Sequence, residues 1–314
     1  MSLSGIERGQ GWRALPTTLS GDLPAVLRFL ALDAARHEYR LLGSGAVIGV
    51  IEGRWLVTVT AASIFEDVAL GTPAPSGSSG LERRYRAPAL ESLRGAFLVP
   101  ERNGELLSPP VGAVISAKVS QRDTALVFFA LPEALPLGVL PVDLGPPPAS
   151  AEALLVAGFA AEPPAPGPAG TPAVPARRLV VREGFFGDFG ATTGRLHYPL
   201  FRHLVPLEPA MLGGPVILQR EVKPGEALRT LVAVNSQDVP QVAGDAAAQP
   251  QREGEGFATH ALALYGHEVL LPSGTWIPFL EAVRGGLVAS FGREALRVAQ
   301  RGGEQGLRQF YIEP

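Results

Sequence analysis

Five histidines (His37, His197, His203, His260 and His267) are the only side chains with an ordinary pKa near neutrality, so any acid–base chemistry starts with them. His197 and His203 are six apart, which puts them on one face of a strand; His260 and His267 are seven apart, with Gly266 between them. No H-E-x-x-H or H-x-H run occurs, so no metal site is expected. Cysteine is absent, which excludes disulfides, thiolate nucleophiles, zinc ribbons and Fe–S clusters together. Neither Gly5–Gly11 nor Gly302-Gly303 sits in a G-x-x-x-x-G-K-[ST] run, and no lysine is near either, so no phosphate loop and no cofactor is expected. Scattered serines leave nucleophile–base pairings open, Ser236 with His203 for example. Arg293, Arg297, Arg301 and Arg308 read as a solvated helix face.

The elements that must position these residues are short. Among 314 residues there are 37 Gly and 30 Pro, which punctuate the chain into strands and turns rather than long helices. Lys plus Arg is 27, with Lys118 and Lys223 the only lysines, against 30 Asp plus Glu. The net charge of -3 has no basic excess for nucleic acid and no acidic block for a solvating tail. Apolar runs peak at Leu154–Ala161, far below the roughly 18 residues of a membrane span. Met1–Gly5 lacks a basic stretch followed by an apolar one, and the expected location is the cytoplasm.

Residues 1–20 read as a polar arm. Asp22 then caps a predicted helix, with Pro24 in its first turn and Val26, Leu27, Leu30 and Ala34 on one face. Strands are predicted at Leu41–Leu42, Ala46–Ile51, Trp55–Thr60, Ala96–Pro100, Val111–Val119 and Thr124–Leu131. Gly71–Gly80 is a loop, and Gly145–Ala149, with three consecutive prolines, connects two halves. The second half offers Leu154–Phe159, Arg178–Val181, His197–Pro206, Gly214–Gln219, Leu228–Asn235 and Gly256–Ala263, with loops at Pro163–Pro175 and Asp245–Glu255. Ile277–Val283 and Arg293–Ala299 carry helical spacing and are each closed by glycines.

Three stretches, in order, carry a resemblance. The first is Gly43-Ser44-Gly45-Ala46-Val47-Ile48 followed by Leu56-Val57-Thr58-Val59-Thr60-Ala61-Ala62-Ser63; the second is Asp123-Thr124-Ala125-Leu126-Val127; the third is Ala210-Met211-Leu212-Gly213-Gly214-Pro215-Val216. Together they resemble the trypsin-like (chymotrypsin-fold) serine peptidases, bacterial branch, whose closing strands the Leu231–Asn235 and Gly254–Thr259 segments also look like. The resemblance covers about residues 40–265 and implies an all-β fold of two six-stranded antiparallel barrels, here with a short N-terminal helix and a helical C-terminal tail. The implied organisation is 1–38 arm and helix, 39–150 first barrel, 151–265 second barrel and 266–314 tail.

The matched triad positions are Ser63, Asp123 and Leu212. The family's mechanism needs a hydroxyl, an imidazole to take its proton and a carboxylate to orient the imidazole. Ser63 cannot act as that base and Leu212 has no side-chain heteroatom; only Asp123 is retained. Ala210 stands where the family has a glycine of the oxyanion loop, Met211 replaces a frequent acid, and Gly213 and Gly214 remain. The resemblance therefore implies a degenerate peptidase fold, not an enzyme, serving as a protein-binding or regulatory subunit with a protein partner. Two alternatives stay open: an active serine hydrolase with a rearranged nucleophile, and a purely structural subunit. Leu212 is expected to turn inward and plug the cleft, and neither nucleic acid nor membrane is an expected partner.

Overall fold

Val26–Leu32 holds six apolar residues out of seven, and a run apolar on both sides of the pleat makes a strand buried on both faces. The computed structural model places β2 (Val26–Asp33) there, with Val26 through Ala31 all buried. The helix expected from Val26, Leu27, Leu30 and Ala34 is corrected accordingly, and the first barrel begins within the 1–38 segment. The helical spacing was a by-product of the continuous run: three of those four positions are simply members of it. The structure describes residues 12–15, 25–69, 86–97, 99–100, 106–107, 112–120, 122–144, 148, 152–160, 164–165, 172–175, 178–189, 200–224, 226–236 and 256–292. Most of the expected arm, the Gly71–Gly80 loop, most of the Gly145–Ala149 connection, His197, the Asp245–Glu255 loop and the Arg293–Ala299 helix lie outside them.

Along the chain, β1 (Trp12–Ala14) precedes β2, followed by β3 (Glu38–Ile51), β4 (Trp55–Thr60) and β5 (Leu93–Phe97). Next come the two-residue pair β6 (Val99–Pro100) and β7 (Leu106–Leu107), then β8 (Val114–Ser120), β9 (Thr124–Ala130) and β10 (Val142–Asp143). The second half opens with β11 (Ala153–Phe159), the pair β12 (Pro164–Ala165) and β13 (Val174–Pro175), β14 (Leu179–Phe189) and β15 (Leu200–His203). It continues with β16 (Pro215–Lys223), β17 (Glu226–Ser236) and β18 (Gly256–His260). A hairpin of β19 (Glu268–Leu270) and β20 (Trp276–Pro278) leads into helix α1 (Phe279–Arg284) and β21 (Ser290–Phe291).

Six strands pair antiparallel in the order β5-β2-β3-β4-β9-β8. A bridge between Arg94 and Ala113 and the Gly95 N–H to Gly112 carbonyl bond join the outer two, closing a six-stranded barrel. Phe29, Phe97 and Phe129 stack within it at centroid distances of 5.2 and 6.1 Å, so the small interior is filled by aromatic rings. The second sheet runs β16-β11-β14-β15-β18-β17-β10-β21, with β16 also paired to β17 and β1 to β14. All these pairings are antiparallel except those of β10 with β17 and β21.

One core cluster spans both halves, from Leu27 and Phe65 to Phe159, Leu231 and Phe279; a smaller one gathers Leu154, Phe186, Met211 and Val216 in the second half. Arg28, buried on β2, crosses the seam: its guanidinium donates to the Pro175 carbonyl at 2.9 Å and lies 5.5 Å from the Phe159 ring centre. The Ile277–Val283 expectation is met by α1, shifted two residues because Trp276–Pro278 pairs as β20. Residues 266–292 clasp the first barrel. The Trp55 indole donates to the Leu270 carbonyl at 2.8 Å, and the Ala289 N–H donates to the Ile48 carbonyl at 2.9 Å.

Candidate functional site

Asp123 ends the turn before β9 with φ +52°, a left-handed conformation that Asp tolerates better than most residues. The carboxylate is buried and faces the 3-10 turn Ala62–Val68 that follows β4. The Ser63 N–H donates to its Oδ1 at 2.7 Å and the Ser63 hydroxyl to its Oδ2 at 3.2 Å. From the second half, the Ser236 hydroxyl at the end of β17 donates to the same Oδ2. Asp123 thus joins the two halves through hydrogen bonds to both of its carboxyl oxygens.

Leu212 lies on the other side of the same seam. A 3-10 turn, Pro209–Met211, delivers it in an extended conformation, and Gly213 follows at φ +78°. The Leu212 carbonyl accepts the Ser44 N–H at 2.8 Å, and a Cβ on Gly43 would press on both that carbonyl and Ile64, the residue after Ser63. A Cβ on Gly213 would collide with Thr60 Oγ1 and the Ser44 carbonyl, so only glycine lets this loop lie against the end of β4. The loop is therefore packed directly on the segment that carries Ser63. Leu212 itself is partly buried against the main core, while Met211 is fully buried in the smaller one. The inward turn expected of Leu212 is thus made completely by its neighbour, and only in part by Leu212.

The amides of this loop are spent internally. Met211 N–H donates to the Glu208 carbonyl at 2.8 Å, and Leu212 N–H to Pro209 at 3.2 Å. Gly213 N–H donates to Asn235 at 2.8 Å, and Gly214 N–H to Met211 at 3.0 Å. An oxyanion hole needs such donors aimed outward at a reacting oxygen; these four are turned onto protein carbonyls. Ser44 fixes the geometry further: its hydroxyl donates to the Ala210 carbonyl and accepts the Phe159 N–H, both at 2.8 Å. Ala210, expected to disturb this loop, is buried at its centre.

Sequence reasoning paired Ser236 with His203 as an open possibility; the Ser236 hydroxyl is given to Asp123 instead. His203 is buried on β15, where Gly256 of β18 is its register partner and has no Cβ to strike the imidazole. Burial lowers its pKa to about 4, partly offset by hydrogen bonding to Asn235 and the Val205 backbone. Burial likewise lowers His260 and His267 to about 4, so all three are neutral at pH 7. His260 Nδ1 accepts the Leu262 N–H at 3.1 Å, capping the 3-10 turn Ala261–Gly266, and His267 Nε2 lies 2.9 Å from Thr124 Oγ1.

The Ser236–Asp123 contact is one that the sequence alone does not indicate. The nearest signal is a polar Asn235-Ser236 pair closing the apolar run of β17, a place where a strand leaves the core. No group of three or more His, Asp or Glu able to hold a metal occurs among the described residues. No described helix is long and apolar enough to cross a membrane.

No family model matches this chain, and a search of curated proteins finds no match.

Proposed function

We propose that this chain is a catalytically inactive relative of the trypsin-like serine peptidases that works as a protein-binding or regulatory subunit. In this reading β11, β14, β15, β18, β17 and β16 form a second six-stranded barrel. The support is their order of pairing, in which β16 meets β11 on one side and β17 on the other. Further support comes from the seam between the two halves, where Ser63 hydrogen-bonds to Asp123 and the Leu212–Gly213 turn packs on Gly43, Ser44 and Thr60.

The observation that carries the loss of catalysis is the state of the loop. Its nucleophile position is a leucine, and the N–H groups from Met211 to Gly214 are donated to protein carbonyls. Ser63 and Ser236 both hydrogen-bond to Asp123, which makes the site a structural knot rather than a proton relay. Cytoplasmic residence and partner engagement through strand edges, arm or tail complete the proposal.

A fluorophosphonate probe tests it against a rearranged hydrolase, because the probe labels any activated serine wherever it sits. The expected result is no labelling above that of the heat-denatured chain. Stoichiometric labelling at Ser236 or another serine would overturn the reading.

A further inference from the structure

The edge of β14 from Val181 to Gly184 is closed by four residues, Trp12 to Leu15. β11 occupies the opposite edge over this stretch, with Val156 against Arg182 and Leu154 against Gly184. On the near edge β15 begins to pair only at Phe186. What fills the interval is β1, antiparallel, with Trp12 against Gly184, Arg13 against Glu183 and Ala14 against Arg182. The Leu15 N–H extends the ladder to the Val181 carbonyl at 2.9 Å, and Leu15 packs against the main core. Between Leu15 and Ala25, where the first barrel begins, run nine further residues, 16 to 24.

The side chains make this edge selective. Glu183 is largely buried, with 11% of its side chain exposed, and Arg13 Nε donates to its Oε2 at 2.6 Å. A nearly buried carboxylate whose cationic partner sits on a three-residue strand is costly to leave behind, so any strand occupying the edge is selected for a cation at that register. The backbone supplies little holding power of its own, because so short a strand adds few main-chain hydrogen bonds, in contrast to the eight-residue β2.

We propose that the Val181–Gly184 edge of β14 is a strand-acceptor site for an extended segment of the form arginine-small-aliphatic, with this chain's own arm as resident occupant. A partner protein presenting such a segment displaces β1 and adds in its place, the main chain supplying adhesion and Glu183 the specificity. Because the resident arm belongs to the same chain its pairing is intramolecular, so it competes with a partner segment without needing a high intrinsic affinity. This proposal rests on the protein-binding reading only in taking partner capture as the work of the chain. It does not depend on the state of the Leu212 loop, and a labelled serine would leave it standing.

The probe is a fluorescein-labelled peptide with the sequence of Gln10–Leu15, titrated by anisotropy into the full-length chain. Arg13→Glu in the chain sets the resident arm against Glu183. This variant is expected to bind the peptide at least ten-fold more tightly than the unsubstituted chain, and a peptide carrying glutamate for arginine is expected to bind neither. In an Arg13→Glu, Glu183→Gln chain the preference for the arginine peptide is expected to fall below three-fold. A melting curve checks that each variant is folded, and Arg13→Ala replaces Arg13→Glu if that variant is not. Failure of the released chain to bind the arginine peptide, or equal binding of the two peptides, would overturn the proposal.

Discussion

At the seam, one carboxylate takes donors from both halves. Asp123 receives the Ser63 N–H and the hydroxyls of Ser63 and Ser236, so removing it orphans buried donors from both halves at once. Asp123→Ala is expected to cost about 2–4 kcal/mol in denaturant unfolding. Asp123→Asn is expected to cost less, because asparagine also adopts positive φ and keeps a carbonyl acceptor. Equal losses would show that the carboxylate with its two acceptor oxygens, not the tolerance of positive φ that asparagine shares, is what Asp123 contributes. At Leu212 the expected cost of Leu212→Ser is about 1 kcal/mol, below the range for fully buried leucine, since the side chain is only partly buried. Ser63→His with Leu212→Ser is not expected to produce efficient ester hydrolysis. The Leu212 N–H is already bonded to Pro209, and neither substitution turns it outward. Hydrolysis of a peptide ester well above background by that double variant would show the loop to be easily reset.

Strand ends and turns, more than strand interiors, decide how the elements meet. Gly213 is the clearest case: its positive φ and the absence of a Cβ let the 209–214 turn lie on the end of β4. Gly213→Ala is expected to destabilise the protein by more than ~2 kcal/mol, well above the usual glycine-to-alanine effect, because it adds a steric collision to an unfavourable dihedral. A melting curve unchanged within a degree would mean that the turn reorganises freely. At the opposite end of β16 and β17, a polar knot ties in β10. Buried Asp143 accepts the Arg220 Nε at 2.9 Å and the Thr230 hydroxyl at 2.7 Å. These bonds satisfy a buried carboxylate on a two-residue parallel strand whose backbone is also tied to β17 by the Leu231 N–H to Pro141 carbonyl bond.

For the molecule as a whole, three buried neutral histidines set the acid limit. His203, His260 and His267 have pKa values lowered by burial to about 4, against 6.5 in the unfolded chain. Between those values the unfolded state binds more protons than the native one, so stability is full above pH 6.5 and falls as pH drops toward 4. The expected unfolding free energy declines by several kcal/mol over that window, with a slope approaching three protons per molecule near pH 5. His203→Phe is expected to reduce the slope by about one proton if the ring is accommodated; His267→Gln, which retains a partner for Thr124, provides the same test at another site. A stability profile flat from pH 7 to 5 would contradict burial as the controlling effect.

Much of the strand map was legible because local pattern and tertiary role coincide. Trp55–Thr60 forms as read, and Thr124–Leu131 and Leu154–Phe159 differ from β9 and β11 by a residue at one end. In each, a short apolar run rich in β-branched or aromatic residues is bounded by turn residues, the pattern of a strand buried on both its faces. Val26–Asp33 was misread because a continuous apolar run satisfies helical and strand periodicity alike; only pairing with β3 and β5 separates them. At the site, residue types alone determined that Leu212 has no side-chain heteroatom to act as a nucleophile and that Ser63 carries no group that titrates near neutrality. That Ser236 turns to Asp123, that four loop amides are consumed internally and that β1 closes the edge of β14 were decided only by the tertiary structure. The Ser236–Asp123 bond, the Gly213 N–H to Asn235 carbonyl bond and the β1–β14 ladder join groups far apart in sequence, and a hydrogen bond between such groups leaves no periodicity in the chain that carries them.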